Sequence, residues 1–107
     1  MIATIAPTTQ AAHLVTWIDG GHLEELIDAW ARETHAGGAY DPGAHALLAG
    51  MALEARDLEG AAVAADMTGE TATARDWRLL ANDVRLEAVA ILTGLRAGRS
   101  LDDLAAG

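Results

Sequence analysis

Between Ala44 and Ala65 the apolar residues recur at alternating intervals of four and three: Ala44, Leu48, Met51, Ala55, Leu58, Ala62 and Ala65. A strand needs a period of two. This spacing instead places every one of those side chains on a single stripe of a helix that packs lengthwise against another helix. The run Trp77, Ala81, Val84, Ala88, Ile91 and Leu95 repeats the alternation, with Leu80 and Leu92 widening it. Thr68-Gly69-Glu70 separates the two runs. Two heptad helices joined by so short a break predict an antiparallel hairpin. In the expected register Glu59 lies near Arg78 and Glu54 near Arg85, so that the arginines neutralise the middle helix.

The rest of the chain extends this to an all-α fold, a small antiparallel bundle of three long helices. Pro7-Thr8-Thr9 can open the first, with Ala11, Leu14, Val15 and Ile18 on its inner side. Gly20-Gly21 breaks it, and Asp19 can cap the next helical segment because its carboxylate accepts amides of the first turn. From His22 to His35, Leu23, Leu26, Ile27 and Trp30 form an apolar face. Asp28 and Arg32 stand four apart on the outer side. Gly37–Tyr40 is a connection, and Asp41-Pro42 reads as a cap followed by a first-turn proline. Gly98 ends the last helix, and Ser100–Leu104 can add one turn. Residues 1–107 are expected to form one domain, with 1–7 and 99–107 at fraying ends.

Alanine supplies much of the apolar content, so the seams bury little area per residue. Such a core is marginal for a lone domain of 107 residues. Ala46, Gly50, Leu53, Gly60 and Ala64 form a second smooth stripe on the middle helix, and this stripe is expected to be a dimer interface.

The net charge of −9 is unevenly spread. Residues 1–73 set only Arg32 and Arg56 against eleven acids, whereas 74–99 set five arginines against Asp76, Asp83 and Glu87. The acidic first part repels phosphate backbones and anionic lipid. No cysteine is present, which removes disulfides, thiolate nucleophiles and Cys-type zinc sites. No apolar run spans a bilayer, and the apolar start lacks a basic region, so neither a membrane span nor a signal peptide is expected. The expected location is the cytoplasm. Lysine and phenylalanine are absent, a codon bias that suggests a high-G+C bacterium or its phage.

Catalytic apparatus is scarce. The only serine, Ser100, sits near the terminus, and neither glycine pair has the flanking strand and lysine of a phosphate cradle. His35 and His45 flank the Gly37–Pro42 connection with Glu33 and Asp41 nearby, a donor set that suits zinc, nickel or manganese. No fixed-spacing motif supports a metal there. His22 and Glu25 reverse the order that di-iron bundles use, and their inner neighbours are Leu and Ile. His13 stands alone among apolar residues. No enzyme activity, metal or cofactor is therefore expected.

Residues 61–78 resemble the core of a helix-turn-helix: alanines, Gly69 at the turn, then Thr71, Thr73, Arg75, Trp77 and Arg78. The resemblance implies that Thr71, Thr73, Arg75 and Arg78 lie nearest DNA. It departs from the pattern at the small Ala74 and at Asp76, whose charge would face phosphate. A hairpin turn at Gly69 accounts for the same residues. In an opposite reading, Glu24, Glu25, Asp28, Glu33, Asp57, Glu59 and Asp66 imitate phosphate rows and inhibit a basic nucleic-acid-binding protein.

The favoured expectation is a non-enzymatic protein-interaction module or small regulator. It binds another protein through Trp17, Glu24, Glu25, Asp28 and Glu33, and it pairs with a second copy. Trp30 and Trp77 are expected in the core, while Trp17 is expected at the surface, where tryptophan favours binding hot spots.

Overall fold

A computed structural model describes residues 15–106. Four helices succeed a non-helical strap, Val15–Asp19, whose last residue is extended (Asp19 φ −70°, ψ 123°): α1 (Gly20–Gly37), α2 (Pro42–Met67), α3 (Thr71–Arg96) and α4 (Leu101–Ala106). No strand occurs among the described residues. The helix expected to open at Pro7 lies outside the described residues as far as Leu14. At Val15 and Ile18, where helix was expected, the chain is not helical. Asp19 forms the boundary, since its Oδ1 accepts the Gly21 N–H at 3.1 Å and caps α1.

The other boundaries arise from equally local chemistry. Asp41 Oδ1 accepts from Ala44 N–H at 3.1 Å, with Pro42 in the first turn of α2. Gly38 (φ 74°) and Gly69 (φ 81°) take the left-handed conformation just past α1 and α2. Each lets the next amide reach back to an orphan carbonyl, Ala39 N–H to Thr34 O at 2.8 Å and Glu70 N–H to Ala65 O at 2.9 Å. Ser100 and Asp103 form a reciprocal cap on α4: Asp103 N–H donates to Ser100 Oγ, and Ser100 N–H to Asp103 Oδ2. The tail expected to fray therefore carries a capped turn.

α2 and α3 make the most extensive contact in the molecule, along their lengths as an antiparallel hairpin. The α2 ladder packs as its spacing predicts: Ala44, Leu48, Ala55, Ala62 and Ala65 are buried, with Met51 and Leu58 half-buried. α1 packs on the half of the hairpin remote from its turn. There Leu23, Ile27, Trp30 and Ala31 meet Ala44, Leu48, Ala52, Ala88 and Leu92. Nearer the turn the buried cluster is Ala62, Ala65 and Ala74 alone.

The seam of α3 is rotated from the expected one. Its buried residues are Ala74, Ala81, Asn82, Arg85, Ala88 and Leu92, while Trp77 is 36% exposed and Leu80 lies at the surface. Trp77 is thus not a core residue. The ion pairs also differ from expectation. Arg78 pairs with Asp66 and Arg85 with Glu59, one heptad away from the expected Arg78–Glu59 pairing. Side chains lean toward the N-terminus of their own helix. In an antiparallel hairpin the arginines of α3 therefore lean toward the turn and the acids of α2 away from it, which offsets the charged partners. Among the described residues Asp28 and Arg32 form no ion pair.

Gly94 shows how α4 is seated. A methyl group there would lie 2.5 Å from Leu104 Cδ2, so the missing Cβ is the space the leucine fills. Gly94→Val is expected to displace Leu104 and free α4. Trypsin should then cut after Arg99 faster than in the parent chain, and an unchanged cutting rate would contradict this packing.

Candidate functional site

Three polar arrangements interrupt the alanine core. The first lies where the strap crosses α3. Asn82 is 2% exposed. Its Oδ1 accepts the Ile18 N–H at 2.8 Å and its Nδ2 donates to Thr16 O at 2.6 Å. One carboxamide thus holds one amide and one carbonyl of the same stretch. Trp17, between them, is 59% exposed. One turn further along α3, Arg85 is 5% exposed. It pairs through Nη1 with Glu59, and among the described residues its Nε has no hydrogen-bond partner. The guanidinium lies directly beneath Gly20, where a methyl would sit 2.7 Å from Nη2.

Sequence reasoning missed Asn82 and misplaced Arg85. A signal was present: Arg85 lies one turn from Ala81 and Ala88 on the same side of the helix and Asn82 on its flank, and small neighbours leave room for a long polar side chain to lie flat.

The second arrangement joins α1 to α2. The Tyr40 ring stacks on His35, with centroids 3.7 Å apart and planes at 15°. Its hydroxyl is hydrogen-bonded to His45 Nδ1 at 2.6 Å. His45 meets the edge of Trp30 at 6.2 Å. The two histidines thus approach one another with Tyr40 as the element between them. Glu33 is engaged elsewhere, by Arg96 at 2.9 Å, and Asp41 is the α2 cap. Among the described residues no group of three or more His, Cys, Asp or Glu side chains is placed to hold a metal.

The third is a cleft between α1 and α2, lined by Glu24, Asp28, His45 and Arg56 over Ile27, Ala52 and Leu53. Glu24 takes both its oxygens to Arg56. Of the four carboxylates on α1 singled out from the sequence, Glu24 and Glu33 are therefore neutralised by arginines. Glu25 and Asp28 form no ion pair among the described residues.

The remaining candidates fall on open surface. Ala46, Gly50, Leu53, Gly60 and Ala64 are all exposed, and a Cβ at Gly50 or Gly60 would meet nothing within 4 Å. Leu47, Val63 and Met67 extend apolar exposure along the same helix. Thr71, Thr73 and Arg75 are exposed in the first turn of α3, and Arg78 is held by Asp66. Asp57 and Asp66 are exposed on α2.

Among the described residues no helix is long and apolar enough to cross a membrane. The class defined by these observations is a small all-α domain, a helical hairpin buttressed by a third helix, with a main-chain clamp on α3. Searches against family models, curated proteins and solved structures gave no match for this chain.

Proposed function

We propose that this protein is a non-enzymatic protein-interaction module that pairs with a second copy and presents an acidic face to another protein. The observation that carries the reading is the outer face of α2. The central helix of the fold leaves Gly50, Leu53, Gly60, Ala64 and Met67 uncovered by the rest of the described chain. Exposed apolar surface on a small domain is a candidate interaction site, and here Asp57 is the one charged residue within the stripe. Small residues let two backbones approach closely, and Leu53 and Met67 supply apolar area. The face adjoins the α1–α2 cleft through Leu53, so Asp28 would flank the pair, while Glu25 and Trp17, both exposed, would complete the acidic, aromatic surface offered to a partner.

Multi-angle light scattering of the purified chain at tens of micromolar tests the first half of this reading. A dimer is expected, and Gly50→Arg with Gly60→Arg is expected to yield a monomer of unchanged helicity. A parent chain that elutes as a monomer would refute it. For the second half, binding partners captured from the source cell should be lost with Glu25→Lys plus Asp28→Lys and with Trp17→Ala. A captured set that survives all three changes would place the partner surface elsewhere.

A further inference from the structure

The stretch Val15–Asp19 lies in a groove whose chemistry reads main chain. Asn82 donates to one peptide group and accepts from another two residues on, as a neighbouring strand would. It makes no demand on the side chains it spans, for Thr16 and Trp17 point to solvent while Val15 and Ile18 are half-buried. The clamp itself is almost wholly buried beneath the stretch it holds.

Beside it the match is incomplete. Arg85 is more than nine-tenths buried, and Glu59 satisfies Nη1 but not Nε. Native structures leave few buried donors unpaired, because each forfeits its bond to water without replacement. Among the described residues, the segment that fills this groove therefore engages both ends of the Asn82 carboxamide and leaves a donor on Arg85 idle.

We propose that the Asn82–Arg85 groove on α3 is a binding site for extended peptide segments, which residues 15–19 occupy in cis. The ligand is a stretch of another protein that offers Asn82 the same amide–carbonyl pair and also brings a carbonyl or carboxylate oxygen to Arg85 Nε. Such a segment gains one hydrogen bond that the chain's own stretch lacks, and the strap yields the groove to it. This site is separate from the outer face of α2 and does not depend on dimerisation.

Two measurements decide it. In the unmodified chain, amide hydrogen exchange at Ile18 is expected to proceed by local opening, about a hundredfold faster than at Ala81 and Ala88. Equal rates would mean that the strap leaves only when the whole domain unfolds, and would overturn the proposal. The second uses a labelled synthetic peptide of residues 12–19 with a free C-terminal carboxylate, whose charge falls where Gly20 begins. Fluorescence anisotropy should show it binding the Ile18→Pro chain about tenfold or more tighter than the parent, because that strap no longer offers its amide to Asn82. Amidation of the peptide terminus should weaken binding, and Asn82→Ala in the Ile18→Pro background should abolish it. Equal affinity for parent and Ile18→Pro, or binding that survives Asn82→Ala, would refute the site. If Ile18→Pro does not fold, the exchange rates alone decide.

Discussion

Glu59→Ala should cost about 3 kcal/mol of unfolding free energy, whereas Arg85→Met should cost less than about 1 kcal/mol, although each removes one half of the same ion pair. The asymmetry comes from burial. The Arg85 side chain is 6% exposed and that of Glu59 is 50% exposed. Removing the glutamate strands a guanidinium in the alanine seam with one donor already unmatched among the described residues. Removing the arginine instead returns a half-exposed carboxylate to water. Methionine then fills a similar volume with a flexible, apolar chain. Urea denaturation monitored by circular dichroism measures both, and the double substitution should be close to Arg85→Met alone. Equal losses for the two single variants would show that the pair behaves as a surface contact, which is worth little wherever it is cut.

The second large effect is Leu48→Ala. Among the described residues Leu23 and Leu48 are the largest side chains that are fully buried, and Leu48 belongs to the core cluster that α1 covers. Truncating a buried leucine removes its transfer free energy and leaves a cavity, together about 3 kcal/mol. A domain this small holds roughly 5 kcal/mol or little more in reserve. Leu48→Ala should therefore lower the urea midpoint sharply. Leu53→Ala lies one and a half turns further along the same helix but points to solvent. It should change monomer stability by less than about 0.5 kcal/mol while weakening the dimer. If the two substitutions destabilise equally, the assignment of inner and outer faces of α2 is wrong.

The contrast between α2 and α3 shows what kind of information a heptad pattern carries. On α2 the seam residues are the most apolar in each turn apart from the outer stripe, and the ladder from Ala44 to Ala65 is the buried one. On α3 hydrophobicity points to the wrong flank. Trp77, Val84 and Ile91 outrank Asn82 and Arg85 on any apolar scale, yet Asn82 and Arg85 are buried beside the seam alanines while Trp77 is exposed and Val84 and Ile91 only half-buried. Burial of Arg85 is tolerable only because Glu59 comes from the other helix, and burial of Asn82 only because residues 16 and 18 arrive from a distant part of the chain. Neither partner is local. A pattern read along one helix has no term for them.

The candidate sites divide in the same way. Trp17 and the open stripe of α2 were visible from residue type and phase. The His35–Tyr40–His45 stack was visible only as a pair of histidines near one connection, since nothing in the spacing places the tyrosine ring between them. Glu24 and Glu33 read as free carboxylates until α2 and α3 supply Arg56 and Arg96.

Local chemistry was sufficient for the helices and their ends. Asp19, Asp41 and Pro42 start them, while Gly38 and Gly69 stop them, through groups within five residues along the chain. The tertiary structure alone decided which polar groups are buried and where the strap lies. Those outcomes depend on hydrogen bonds and ion pairs between residues 26 to 66 positions apart, and such partners are set by packing in space rather than by order along the chain.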